Sequence, residues 1–281
     1  MEKKTKKRKP NIPYIISCCI FIGALLALAL YLLSLHTKET DFKALRRNIK
    51  VSDTNTKEED YLKYYLIDGE VVQEEFKDLY LKNSDTIGWI KINGTNIDYP
   101  VLFNPDEEEY YLHKDFNKDY SFNGSIFAGA GTDIAAPSEN IIIYGHHIIG
   151  KKMFGGLDDY ESEEYYKNHK YITFDTLRQT GKYEVIAAFR TRIEAEDYKG
   201  FQYYRYTNIG EESFNEYVKN IKELTPYNID TTAKYGEQLI TLSTCAYHTS
   251  NGRFVVVAKR IDGKEVDLEK SPIETINTTK E

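Results

Sequence analysis

The chain has 281 residues, a hydrophobic share of 41% and a formal net charge of -7. That share suffices for a buried core, and the length suits one large domain with accessories. Beyond residue 36 there are 31 basic and 43 acidic side chains, an acidic balance that excludes a nucleic-acid binder, which needs a basic face to meet phosphates.

Lys3, Lys4, Lys6, Lys7, Arg8 and Lys9 crowd the first ten residues, and no charge follows from Asn11 to Leu35. The run Tyr14 to Leu35 is almost wholly apolar and, at about 1.5 Å per residue, long enough to cross a bilayer. It exceeds the h-region of a signal peptide and lacks a small-x-small cleavage site before His36, so it reads as a retained anchor spanning residues 14–35. The positive-inside rule keeps the basic cluster cytoplasmic and sends everything after His36 outside. Residues 1–36 are thus a cytoplasmic tail and transmembrane helix, and the charged, polar stretch 37–68 is a juxtamembrane stalk.

From Glu70 to Asn83 the apolar residues Val72, Phe76, Leu79 and Tyr80 share one helical face, which predicts a helix packed on the domain. Ile87 to Ile92 and Ile97 to Leu102 then read as strands joined at the Asn93-Gly94 turn. Ser125 to Ala128, Asn140 to Tyr144, Tyr171 to Asp175, Lys182 to Arg190, Gln238 to Thr244 and Arg253 to Arg260 complete eight short strands. Between the sixth and seventh, Glu211 to Glu223 places Phe214, Tyr217, Val218 and Ile221 at helical spacing. Many short strands with few helices argue for a closed or nearly closed barrel rather than a doubly wound sheet. Residues 263–281 show no core-forming pattern and read as a disordered tail.

Cys18 and Cys19 lie in the apolar helix, which leaves Cys245 as the one thiol of the exported body. Unable to form an intramolecular disulfide there, it is either a reactive group or a buried spectator. It stands at a strand end, and Arg253 opens the next strand, so the two bracket a hairpin. A guanidinium in that place can favour a thiolate and donate to an oxyanion, or it can be a surface cation. A cysteine nucleophile also needs a proton carrier, the role suited to histidine. Of six histidines, His36 flanks the anchor, His113 and His169 lie in charged stretches, and His248 sits in the turn beside Cys245. His146 and His147 follow the apolar strand 140–144 directly after Gly145, a way of presenting a side chain from a rigid edge into a cleft. Only one of the two can face it.

Thr241-Leu-Ser-Thr-Cys245 matches the Thr-Leu-x-Thr-Cys signature of the sortases, Arg253 follows eight residues on, and Tyr144-Gly145-His146 matches that family's strand-end histidine motif. The resemblance runs from about Glu70 to Ile261, through Gly88-Trp89-Ile90, Asp98-Tyr99-Pro100-Val101, Gly124-Ser125-Ile126-Phe127 and Met153-Phe154. It is closest to class B sortases in the N-terminal helix, the helix ahead of the Cys strand and the Cys-to-Arg spacing. Ser125 to Gly131 is richer in glycine and alanine than that pattern. The resemblance implies a mainly β fold: an eight-stranded sortase barrel over residues 69–262, with an N-terminal helix and an inserted helix before the Cys strand. It further implies an enzyme that needs no metal or cofactor. Cys245 attacks the threonine carbonyl of a C-terminal sorting signal on an exported protein, Arg253 holds the oxyanion, and His146 serves the leaving and incoming amines. Ser243, Leu112, Tyr203 and Tyr204 would line or cover the signal groove. The acceptor would be an amine of peptidoglycan or of a pilus subunit.

Three other readings compete. A cell-wall L,D-transpeptidase also couples Cys, His and Arg, but its motif resembles Ser-His-Gly-Cys, from which Ser243-Thr244-Cys245 departs. Papain-like hydrolases usually place Cys before His in the chain. An anchored binding module with an inert Cys245 belongs to a different class, and its thiol would alkylate slowly in the folded state.

Overall fold

The computed structural model describes residues 12–46, 62–135, 139–245, 250–269 and 273–278, excluding the side chains of Ile12, residues 33–44, Cys245 and Ile273. The basic tail at 1–11, residues 47–61 of the stalk and His248 lie outside the described residues. The chain forms two units, residues 1–48 and 49–281.

In the first unit, helix α1 (Ile12–Arg46) carries a stretch, Pro13–Leu32, long and apolar enough to cross a membrane. The leucines, isoleucines and aromatics of Pro13–Leu32 are exposed.

The second unit opens with β1 (Tyr64–Ile67) and β2 (Glu70–Gln73), an antiparallel pair. Asp68 and Gly69 join them with φ of 49° and 90°, the left-handed pair that an Asp-Gly hairpin turn supplies. The predicted helix over 70–83 is therefore corrected: a 3-10 turn at Glu74–Phe76 leads into a shorter α2 (Lys77–Lys82). Val72, Phe76 and Leu79 are buried as their spacing suggested, but the hairpin takes the first turn of the expected helix. β3 (Thr86–Lys91), β4 (Asp98–Leu102), β5 (Ile126–Ala128) and β6 (Asn140–Tyr144) follow. A small hairpin comes next, β7 (His147–Ile148) with β8 (Lys152–Met153), then α3 (Glu163–Asn168), β9 (Tyr171–Thr176) and β10 (Lys182–Arg192). The chain continues through α4 (Glu211–Leu224), β11 (Leu239–Cys245), β12 (Gly252–Asp262) and β13 (Ile273–Ile276).

Eight strands close into a barrel in the order β10-β12-β11-β6-β5-β4-β3-β9. These are the eight strand runs expected from the sequence. Inside the barrel pack Ile90, Val101, Ile143, Phe154, Phe174, Leu242, Phe254 and Val256. A second cluster fills the space between the outer face of β10–β12 and α4, whose Phe214, Tyr217, Val218 and Ile221 are buried. On β12 the residues Phe254, Val256 and Ala258 face the first cluster while Val255 and Val257 face the second. A strand covered on both faces reads as a continuous apolar run, which is how Phe254 to Ala258 reads. Burying each of Phe214, Val218 and Ile221 contributes about 1.5–3 kcal/mol, an amount that outweighs the low intrinsic stability of a 14-residue helix.

The expectation of disorder over 263–281 is also corrected in part. β13 pairs in parallel with β1, so β1 is bonded on both edges. The Thr278 amide donates to Asp68 at 2.9 Å and the Val266 amide to the Arg178 carbonyl at 2.9 Å. Composition reports only side-chain hydrophobicity, whereas this segment is held through its backbone.

Candidate active site

The barrel brings three strand ends to one rim. β6 and β11 run parallel, with Ser243 opposite Tyr144, so both finish at the same edge. β12 runs antiparallel to β11 and starts there, with Arg253 directly opposite Cys245. His146, Cys245 and Arg253, 107 residues apart at the extremes, are thereby gathered by backbone register alone.

His146 is presented by a rigid joint. The Gly145 amide donates to the Ser243 carbonyl at 3.1 Å, and the His146 carbonyl accepts from the Phe154 amide at 3.0 Å. A Cβ on Gly145 would lie 2.4 Å from Ile126 Cδ1 and 2.8 Å from the Phe154 ring, so glycine is the residue that fits. The His146 ring is half-buried, and its Nε2 donates to the Leu112 carbonyl at 2.7 Å. A carbonyl oxygen can only accept, so Nε2 carries the proton and Nδ1 is the basic nitrogen of the neutral ring. His147 points elsewhere, its Nε2 3.2 Å from the Asp158 carboxylate.

Arg253 is half-buried and donates from Nη1 to the Gly252 carbonyl at 3.0 Å. Its charge is felt by Tyr144. Burial pushes the Tyr144 hydroxyl well above the ordinary tyrosine range, Tyr203 and Glu108 push the same way, and Arg253 opposes them. Tyr144 therefore stays neutral at physiological pH, in the field of the Arg253 charge and one residue before Gly145. Sequence reasoning did not single it out, although it belongs to the matched Tyr-Gly-His motif. Its ring also accounts for one glycine after β5, because a Cβ on Gly129 would lie 2.6 Å from that ring.

The four expected groove residues divide. Leu112 and Tyr204 are half-buried, whereas Ser243 and Tyr203 are buried and bonded to each other, Oγ to hydroxyl, at 2.7 Å. Behind them runs a polar chain that sequence reasoning missed. The Tyr217 hydroxyl lies 2.6 Å from Thr241 Oγ1, Thr241 donates to Asn140 Oδ1 at 2.8 Å, and Asn140 Nδ2 donates to the Tyr206 carbonyl at 2.7 Å. Each such bond contributes about 1 kcal/mol net, and leaving one partner unpaired would cost more. The chain ties α4 and the segment after β10 to the backs of β6 and β11, the two strands that end at the rim. Its visible signal was Thr241 and Ser243 alternating with apolar residues in a strand covered on both faces.

The family model described as "Sortase domain" matches residues 90–261. Sortase B of Staphylococcus aureus is 34% identical over 196 residues, covering 68% of this chain and 77% of the relative. Sortase B of Listeria monocytogenes is 29% identical over 198 residues, covering 69% and 77%. A solved Staphylococcus aureus sortase B–substrate complex superposes with a TM-score of 0.68 at 27% identity, covering 82% of this chain and 99% of that one.

Proposed function

The chain belongs to the sortase family, in class B, and from that premise we propose that Cys245, His146 and Arg253 carry out its transpeptidation at the rim where β6, β11 and β12 meet. A class B sortase is a cysteine transpeptidase acting on surface proteins that bear a sorting signal. That membership sets aside the L,D-transpeptidase and the inert binding module.

In the proposed sequence the Cys245 thiol gives its proton to His146 Nδ1, and the resulting thiolate attacks the threonine carbonyl of the signal. Arg253 donates to the oxyanion, and His146 protonates the leaving amine as the thioester forms. An amine of peptidoglycan or of a pilus subunit then attacks the thioester, giving its proton to His146. The observation that carries this assignment is the register, Arg253 opposite Cys245 with His146 two residues past the end of the neighbouring strand. Leu112 and Tyr204, half-buried, would form the wall of the signal groove, with Ser243 and Tyr203 supporting its floor. We read α4 as the inserted helix of the class B pattern and residues 69–262 as the catalytic domain. Residues 1–36 would anchor it as a single-pass protein with a cytoplasmic N-terminus and an extracellular catalytic domain, supported by the apolar stretch Pro13–Leu32 and the basic residues before it.

The test is incubation of the full-length chain in detergent micelles with Asn-Pro-x-Thr-Asn, Leu-Pro-x-Thr-Gly and Ser/Pro-Pro-x-Thr-Gly peptides, without an added amine. A thioester adduct on Cys245 is expected by intact mass, and Cys245→Ala should neither cleave nor form it while melting as the parent does. Cleavage by folded Cys245→Ala would end the assignment.

A further inference from the structure

Two consecutive residues of one 3-10 turn hold His146. The turn Tyr110–His113 offers the Leu112 carbonyl to the edge of the ring, and the next residue offers its own ring to the face. The His113 and His146 centroids are 5.7 Å apart with planes inclined by 27°. His113 also stacks on Tyr120, at 6.4 Å and 29°.

The loop carrying Tyr120 is pinned to the same turn. The Ser121 amide donates to the His113 carbonyl at 2.9 Å and Ser125 Oγ to the Lys114 carbonyl at 2.8 Å. Asp115 Oδ1 accepts from the Asn117 and Asp119 amides, each at 3.0 Å. His113 is exposed, so backbone bonding rather than burial fixes its place. A single hydrogen bond at Nε2 restrains one atom of an imidazole and leaves the plane free to rock about that bond. A second ring against its face restricts that rocking, and with it the direction in which Nδ1 points.

Resting on the reading of His146 as the acid and base of the reaction, we propose that His113 is a positioning residue that holds the plane of the His146 ring. It transfers no proton itself. Ring pairs at this separation favour the held orientation by about two- to tenfold, and such a loss falls on the chemical step rather than on substrate binding.

The test compares His113→Ala, His113→Leu, His113→Phe and His146→Ala in the full-length chain, with melting temperatures taken on the same preparations. The probe is the Asn-Pro-x-Thr-Asn peptide, or whichever peptide of the panel the parent cleaves fastest. His113→Ala and His113→Leu should lower kcat about two- to tenfold at unchanged KM, and His113→Phe, which restores a flat face without an ionisable group, should recover most of the loss. If one of the first two melts well below the parent, the other carries the comparison. A parental kcat in the Ala and Leu variants, a Phe variant as impaired as they are, or a loss confined to KM would overturn the inference, provided His146→Ala is inactive. Near-parental turnover by His146→Ala would instead remove the reading beneath it.

Discussion

Gly145 is the joint between a buried strand and the proposed acid-base residue, and adding one methyl group there tests how rigidly the joint works. In Gly145→Ala the new Cβ would sit 2.4 Å from Ile126 Cδ1 and 2.8 Å from two carbons of the Phe154 ring, where ordinary contact begins at 3.4 Å. The shortfall is about 1 Å, and neither neighbour can swing into solvent, because both are buried in the barrel core. Overpacking of this kind costs about 1–3 kcal/mol, which for a domain of this size lowers Tm by roughly 2–12 °C. The displacement also travels toward the site, since the Phe154 amide holds the His146 carbonyl. A shift of about 1 Å in a reacting group costs on the order of a hundredfold in rate, so kcat for peptide cleavage should fall far more than stability alone explains. Gly156→Ala is the control: its Cβ meets nothing nearer than 3.5 Å and its φ is -105°, so rate and Tm should stay near parental. Steady-state cleavage and thermal melts on matched preparations decide the matter. A Gly145→Ala variant that melts with the parent and keeps kcat within about threefold would refute the reasoning about a rigid joint.

Arg253→Ala should lower the catalytic rate by about a hundredfold or more, the scale on which one oxyanion donor acts. Arg253→Lys should recover only part of it, because an ammonium lacks the planar fork of donors; near-normal rates in both folded variants would take Arg253 out of the mechanism. His146→Ala should be inactive and His147→Ala should retain most of its activity, with His147 engaged by Asp158 on the far side of the joint. The reverse pattern in cleavage assays would show that the wrong ring has been assigned.

The barrel was legible because its strands are short apolar runs bounded by turn residues, and each such run is a strand of the closed sheet. The Asp68-Gly69 hairpin was overlooked because Val72, Phe76 and Leu79 also fit a helical period, and a two-residue turn signal was outweighed by spacing. β13 escaped notice because its attachment to β1 is through backbone groups. At the site, Cys245 and Arg253 could be read as a hairpin pair from their separation. The bond from His146 to the Leu112 carbonyl spans 34 residues and that between Tyr203 and Ser243 spans 40. Partners of that kind are chosen by the closure of the barrel, and no local pattern announces them.

The flanking of β1 by two ladders has a consequence for how the ends of the second unit come apart. Residues 64–67 pair one for one with 273–276 on one side and with 70–73 on the other, so the first described strand of the unit and the last, β13, share one ladder. Losing the pairing of β1 would therefore release β2 and β13 together, so the two ends of the unit open as one cooperative element. The amides of residues 64–67 and 273–276 are accordingly expected to exchange with solvent at a common rate, the mark of a clasp that opens as a whole.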